Sequence, residues 1–305
     1  MSLSHCSRRD FLRTTGLAAA LTAGRPLAAW SAEGAADPYG GFKMSIQSYS
    51  LRAFDLKTAL SHSQKLGLKY WEAYPRHIPL STVPAHISEH KAMLDDAGIT
   101  LLSYGVVSID DDETKTRELF DFAQAMGLVS ISANPAKRPA VFEMLDKLVA
   151  EYEIPIAIHN HGPGATYDKI DDVVEWTRDR HPLVGACVDT GHFLRSDEDP
   201  VEALQRLGQR VFGVHLKDAK SIRDKQELER LARDLPQRQA DRLRKEGKLM
   251  TILGEGELDV VGCLKVLRQQ GFDRSLSLEY EENEQNPLSD IEVCLQTVRE
   301  AVQKL

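Results

Sequence analysis

The chain has 305 residues, 42% of them hydrophobic and 28% charged, with a formal net charge of −8 at pH 7. That is enough apolar length for one large α/β domain with a sizeable core. The acidic balance repels phosphate backbones and sets aside a nucleic-acid partner, and past the first thirty residues nothing resembles a membrane helix.

In chain order, residues 1–29 differ in kind from the rest. Ser7-Arg8-Arg9-Asp10-Phe11-Leu12-Arg13 precedes a weakly apolar stretch, Thr14 to Ala23, and then Leu27-Ala28-Ala29. Paired arginines, a short apolar core and small residues before a cleavage point predict a twin-arginine export signal. The mature chain is then expected in the periplasm or secreted, with no membrane anchor. Removal of four Arg and one Asp moves its formal charge from −8 to −11. Export in the folded state suits a metalloenzyme, because the metal can be loaded in the cytoplasm. Of four Cys, Cys6 lies in the signal; Cys187, Cys263 and Cys294 read as small buried hydrophobes, since an odd count does not make a disulfide framework.

Residues 30–41 read as a polar, Gly-rich linker, and residues 42–305 as one domain in which strand and helix signals alternate. Lys43 to Ser48 is strand-like; Leu56 to Leu66 is helical and closed by Gly67; Tyr70 to Ala73 is strand-like. His86 to Ala97 is a helix capped at Gly98, Thr100 to Val106 a strand, Thr114 to Met126 a helix stopped by Gly127, and Val129 to Ala133 a strand. Then come helix Pro139 to Tyr152, strand Ile154 to Ile158, helix Ile170 to Arg180, strand Val184 to Val188, a helix closed by Leu204 to Gly208, and strand Val211 to Val214. Helix Cys263 to Gln270, strand Leu276 to Leu278 and helix Ile291 to Val302 complete eight pairs, the size of a single-domain α/β fold of the (β/α)₈ TIM barrel type. Residues 221–248 break the rhythm as a strongly charged segment of helical composition, open to three readings: a solvated excursion, a lid or a subunit contact.

The apolar runs of the second half end in side chains that bind divalent metals. Ile154 to Ile158 runs into His159-Asn160-His161, Val184 to Val188 into Asp189 and His192, Val211 to Val214 into His215 and Asp218, and Leu276 to Leu278 into Glu279. Parallel strands closed into a barrel bring these ends to one mouth, where such enzymes carry their chemistry. A single Asp or Glu there is more often a helix N-cap or a solvated loop residue. His159, Asp189, His215 and Glu279 together predict one divalent metal, drawn from Mn, Zn, Mg or Co with Mn favoured. Such a metal can chelate adjacent sugar oxygens and ease removal of the neighbouring proton.

The sequence resembles the xylose isomerase-like TIM-barrel superfamily over nearly the whole mature chain. The resemblance is carried by Val188-Asp189-Thr190-Gly191-His192, Val214-His215-Leu216-Lys217-Asp218, and Gly254-Glu255-Gly256-Glu257-Leu258-Asp259 with Leu278-Glu279-Tyr280-Glu281. It implies that Asp189, His215 and Glu279 hold the metal and that His192 touches substrate hydroxyls. Where the family has a Glu at the end of strand five, this chain has His159 in His159-Asn160-His161, so one of two catalytic carboxylates is missing. Whether His159 or His161 faces the metal stays open, because both lie on one face of the strand.

Lys217 either stabilises a developing enediolate or pairs with Asp218, and Glu72 either works at the mouth as acid, base or substrate contact or pairs with Arg76. Gln47, Tyr49, Trp71, Tyr74 and His77, along with His161 and His192, are expected to line the substrate pocket, with Asn134 and Tyr280 as further candidates. The implied activity is a metal-dependent sugar isomerase or epimerase, with Glu279, His159 or Glu72 as the base. The alternatives are a lyase or dehydratase eliminating from keto-sugars or 3-keto-glycosides, and a non-catalytic sugar-binding protein. The partner is a small carbohydrate; a homo-oligomer is left open.

Overall fold

Strands with apolar side chains on both faces need cover on both, and a parallel sheet rolled into a cylinder under a ring of helices supplies it. The computed structural model describes residues 37–305. Its strands are β1 (Lys43–Gln47), β2 (Tyr70–Ala73), β3 (Thr100–Ile109), β4 (Ser130–Pro135), β5 (Ile156–His159), β6 (Val184–Asp189), β7 (Val211–Leu216), β8 (Asp218–Ser221), β9 (Lys248–Thr251) and β10 (Ser275–Leu278). β1 to β7 and then β10 close a parallel barrel, β10 pairing with both β7 and β1, and β8 and β9 form a separate antiparallel ribbon. This is the single-domain (β/α)₈ fold expected from the alternation. The expected export signal, residues 1–29, and residues 30–36 of the expected linker lie outside the described residues.

The helices start where the sequence supplies caps. Asp55, Asp112, Asp199 and Asp259 each accept a backbone N–H in the first turn of the helix that follows, and proline opens the helices Pro84–Asp96, Pro139–Tyr152 and Pro200–Leu207. The proline moves the start of the first of these helices, expected at His86, back to Pro84. The layer between strands and helices is apolar, with Phe120, Phe122, Phe142 and Ile131 fully buried, each adding roughly 1.5–3 kcal/mol by leaving water.

The inside of the barrel is different. Barrel interiors are usually filled by branched hydrophobes, but here Ser45, Ser103, Ser130, Ser132, Ser275 and Ser277 are buried at the centre. Their hydroxyls satisfy one another: Ser45 Oγ lies 2.7 Å from Ser275 Oγ and 2.8 Å from Ser277 Oγ, and Ser130 Oγ donates to Ser103 Oγ at 3.3 Å. A hydroxyl-lined interior tolerates a carboxylate above it, which an aliphatic one would not.

Residues 221–248 do not form one solvated helix. Pro236 breaks the segment into helices Lys225–Asp234 and Gln237–Glu246, which fold back on each other around Ile222, Ala232, Ala240 and Leu243, and the ribbon of β8 and β9 closes the base. The ribbon is fixed by Asp218. Its buried carboxylate accepts the backbone N–H groups of Ala219 and Leu258 at 2.9 Å on Oδ1, and of Gly254 at 2.9 Å and Gly256 at 3.0 Å on Oδ2. Gly256 must be glycine for this, because a Cβ there would lie 2.2 Å from Asp218 Oδ1. The Gly254 to Asp259 motif is thus a backbone cradle for the carboxylate that opens β8.

Replacing Asp218 by Ala strands four backbone donors, two of them at glycines needed for the loop. The expected loss is about 2–4 kcal/mol of unfolding free energy, against about 1 kcal/mol for Ala at the exposed N-cap Asp224. Urea melts of the two variants check this, and equal losses would remove Asp218 from its structural role.

Candidate metal centre and its cavity

Asp189 ends β6 and also caps the helix Thr190–Arg195: its Oδ1 accepts the His192 N–H at 2.8 Å, leaving Oδ2 turned inward. The two readings of an Asp at a strand end, cap and ligand, are both true of this residue through its two oxygens. Asn160 holds it in place from the neighbouring strand end, its side chain donating to the Asp189 carbonyl at 2.9 Å and accepting the Asp189 N–H at 2.8 Å. Strand register sets His215 level with Asp189, and Ser277 level with His215 on the far side.

The donor atoms of His159, Asp189, His215 and Glu279 all lie within 4.8 Å of one another, and all four residues are buried. His215 Nδ1 is 2.8 Å from Glu279 Oε2 and 3.0 Å from His159 Nε2, which is 3.3 Å from Asp189 Oδ2. Asp189 Oδ2 and Glu279 Oε2 are buried without a hydrogen-bond donor. Lys217 Nζ lies 3.2 and 3.1 Å from them as a charge rather than an aligned donor. Orphaned buried oxygens of this kind cost on the order of 1–3 kcal/mol each, and two of them aimed at two imidazole nitrogens fit a divalent cation with a mixed nitrogen and oxygen shell. On this geometry it is His159, not His161, that faces the metal position.

Glu72 does not reach the mouth, nor does it pair with Arg76. It is fully buried beneath His215, its Oε2 2.9 Å from His215 Nε2 and accepting Ser277 Oγ–H at 2.8 Å, while Oε1 accepts Ser132 Oγ–H at 2.6 Å. Burial would raise its pKa, but the imidazole and the two hydroxyls outweigh that and hold the carboxyl at about 2. An ionised Glu72 accepts the His215 Nε2–H as a hydrogen bond, which keeps that proton on Nε2 and turns Nδ1 toward the metal position, the usual carboxylate–histidine–metal arrangement. Glu72 is a positioning residue, and its expected role as catalytic acid or base is corrected.

Lys217 is likewise not paired with Asp218. It is 2% exposed and lies among Asp189, Glu279 and Glu281. Burial lowers its pKa, yet the three carboxylates hold it well above the usual lysine value, so it is a fixed cation. Those carboxylates respond in kind: burial raises Asp189, but His192, Lys217 and His159 bring it well below its ordinary range, and Lys217 leads the groups holding Glu281 at about 2. Burial and the neighbouring His159 lower His161 to about 4, and burial drives His192 well down, so both are neutral imidazoles. Burial alone would lower His215 too, but Cys187, Glu72 and Glu279 outweigh it and raise its pKa well above the ordinary imidazole value.

Over this centre opens a cavity of about 600 Å³. Of the expected pocket residues, Gln47, Tyr49, Tyr74, His161 and His192 line it, with His159, Lys217 and Glu279 at its floor. Trp71 does not: its ring is fully buried, its Nε1–H donating to Ser63 Oγ at 2.9 Å, and it stacks on His77 with centroids 5.7 Å apart. His77 is also outside the cavity and bridges Ser48 Oγ at 2.9 Å and the Phe54 carbonyl at 3.1 Å. Asn134 does not line it either, and Tyr280 turns away to donate to Asp290 at 2.7 Å. Strand alternation explains the Trp71 miss: Glu72 points into the barrel, so its neighbour points out.

The sequence reading missed Arg195 and Glu281 and the contribution of the charged segment, which supplies Arg238, Asp241, Arg242, Lys245 and Glu246 to the cavity wall. Arg195 grips Glu246 in a bidentate pair at 2.8 and 2.7 Å and donates to His192 Nδ1 at 2.9 Å, tying the segment to a site histidine. The i to i+3 spacing from His192 to Arg195 was the available signal. Nothing local marks Glu246.

The family model for the xylose isomerase-like TIM barrel matches residues 60–297. Among curated relatives, the inosose dehydratase of Clostridium botulinum (strain Eklund 17B / Type B) is 33% identical over 149 residues, 47% of each chain. The chain thus matches about half the length of such relatives. Among solved structures, the IolI protein with a bound zinc atom has a TM-score of 0.59 at 19% identity, covering 86% of this chain and 99% of that one. The D-psicose 3-epimerase with D-tagatose from Clostridium cellulolyticum H10 has a TM-score of 0.59 at 14% identity, covering 86% and 98%. These two show the fold alone.

Two outcomes follow from the geometry. The full chain binds one divalent ion, Asp189→Ala abolishes binding, and Glu72→Gln, which removes the fixed acceptor without changing shape, weakens it roughly 10–100-fold. Because His215 holds its proton to higher pH than an ordinary imidazole and the metal must displace it, affinity rises with pH by up to about tenfold per unit until that proton is gone. Calorimetric titration with Mn²⁺ or Zn²⁺ between pH 6 and 8 measures both, and a flat pH profile contradicts the second.

Proposed function

The chain belongs to the xylose isomerase-like TIM barrel family, and from that premise we propose that it is a divalent-metal-dependent enzyme that removes the proton next to the carbonyl of a sugar derivative and eliminates a β-substituent, as a dehydratase or lyase. The observation that carries the proposal is the makeup of the cavity floor: a four-donor metal position with a buried, permanently charged lysine 3.1 Å from a carboxylate of the same site.

When bound, the cation would polarise a carbonyl and an adjacent hydroxyl. Glu279 takes the carbon-bound proton. Lys217 stands against the negative charge that develops on the carbonyl oxygen, in a site dry enough for that charge pairing to be strong. His161 and His192, both neutral and facing the cavity, hold hydroxyl groups of the substrate in place. The C–H pair of electrons becomes the new double bond as the β-substituent departs; its negative charge and the abstracted proton leave together, as water from a hydroxyl or as an alcohol from a glycoside. Elimination is favoured over epimerisation because epimerisation calls for a second group that returns the proton to the opposite face, and His159 stands where the family has the second carboxylate. The similarity to inosose dehydratases supports the same direction.

The donor set suits Mn, Zn or Co better than Mg. Export by the twin-arginine route to the periplasm is part of the proposal, and it favours glycosides arriving from outside. Cell fractionation of the tagged full chain tests the export.

The metal-loaded protein is incubated in D₂O with keto-sugars and with 3-keto-glycosides. Loss of water or of the aglycone is expected, and Lys217→Met lowers kcat by about 10²-fold or more with metal content unchanged. Aldose–ketose interconversion without loss of a substituent would favour the isomerase instead; no deuterium exchange and no elimination from any substrate would leave a sugar-binding protein.

A further inference from the structure

Given that reading of the site, we infer that the substrate carries an anionic group, a carboxylate or a phosphate, held by Arg238, Arg242 and Lys245 of the helix that overhangs the cavity. These residues fall at spacings of four and three along the helix Gln237–Glu246, which puts them on one stripe. All three line the cavity, while Ala240 and Leu243 turn the other way into the small core of the hairpin. The stripe is cationic in a chain whose overall charge is −8.

The other charges of the cavity are spoken for. Lys217 is surrounded by Asp189, Glu279 and Glu281, and Arg195 is locked to Glu246. Asp241, on the same stripe, accepts Gln237 Nε2–H at 2.8 Å and lies 3.8 Å from Arg244 Nη1. Arg242 Nη2 makes a long ion pair with Glu282 Oε1 at 3.7 Å, beyond hydrogen-bond distance. Among the described residues Arg238 and Lys245 have no ion-pair or hydrogen-bond partner.

The cavity therefore has two unlike ends. The floor presents anionic and neutral acceptors to a metal and to hydroxyl groups; the overhang presents three cations, of which Arg238 and Lys245 have no partner among the described residues and Arg242 only a long ion pair to Glu282. Exposed cations of this kind add little to stability, so folding does not account for their arrangement around one opening. The cavity has room for a sugar acid, a sugar phosphate or a small glycoside of either. Tyr49 and Tyr74, edge to face at 4.9 Å, form an aromatic wall beside it.

The test compares three probes of similar ring structure, glucose, glucuronate and glucose 6-phosphate, on the metal-loaded full chain at constant ionic strength. Calorimetric binding of at least one anion is expected to be roughly tenfold tighter than that of glucose or better. The ratio falls to about one in Arg238→Gln/Lys245→Gln and drops below one in the charge reversal Arg238→Glu/Lys245→Glu, with metal content and melting temperature unchanged. A preference for glucuronate alone names a carboxylate, and for glucose 6-phosphate alone a phosphate. Glucose binding as tightly as both anions, no binding of either anion, or a preference that survives the double variant overturns the inference. Deuterium exchange on neutral keto-sugars without charge preference would sink this inference and leave the proposed reaction standing. Charge preference without exchange or elimination would do the reverse.

Discussion

The structure is organised around two carboxylate oxygens, Asp189 Oδ2 and Glu279 Oε2, that are buried at the end of the barrel and turned toward the same point without a hydrogen-bond donor. Like charges so placed repel, and desolvation adds to the cost. What makes the arrangement tolerable is a set of opposite charges and polar groups that no single strand could supply. Lys217 stands on one side, and His159 and His215 bring nitrogen donors to the same point. A cation at that point would satisfy all four groups at once.

The layer beneath explains why His215 is fixed. Glu72 reaches across the barrel from β2 to hold Nε2, and Ser132 and Ser277 hold Glu72. The serines below continue as a hydroxyl network in place of the usual aliphatic filling. A buried carboxylate over a leucine-packed interior would take up a proton or destabilise the fold. Over hydroxyls it stays ionised and sets the imidazole's tautomer. The polar barrel interior and the metal position are one design.

The charged segment between β8 and β9 plays two parts. Its own small core lets it fold as a hairpin, and its outer stripe becomes part of the cavity wall. Two carboxylate anchors hold it there: Asp218 fixes the ribbon at its base through backbone N–H groups, and Glu246 closes on Arg195, which also touches His192. Any shift of this hairpin is thereby coupled to a histidine facing the substrate.

Much of this was legible in one dimension. Alternating apolar runs and capped helices pointed to a parallel (β/α)₈ barrel, because burial on both faces leaves a parallel strand few other homes. Asp189, His215, Glu279 and His159 were visible as donors at strand ends, a position that the barrel's geometry turns into proximity. The direction of neighbouring side chains was not visible: Trp71 faces the helix behind it and Glu72 lies under the site instead of in its mouth, because pleat and strand tilt decide which of two adjacent residues points inward, and His77, in the turn after β2, is drawn to Ser48 and the Phe54 carbonyl. The partners of Lys217 and of Arg195 were equally hidden, since Glu281 and Glu246 lie 64 and 51 residues away along the chain. Local sequence determined which elements form and which chemical groups stand at their ends, because capping, periodicity and burial act over a few residues. Only the closed barrel decided which of those groups meet and which charge neutralises which, because such pairings depend on distances that do not exist until distant strands lie side by side.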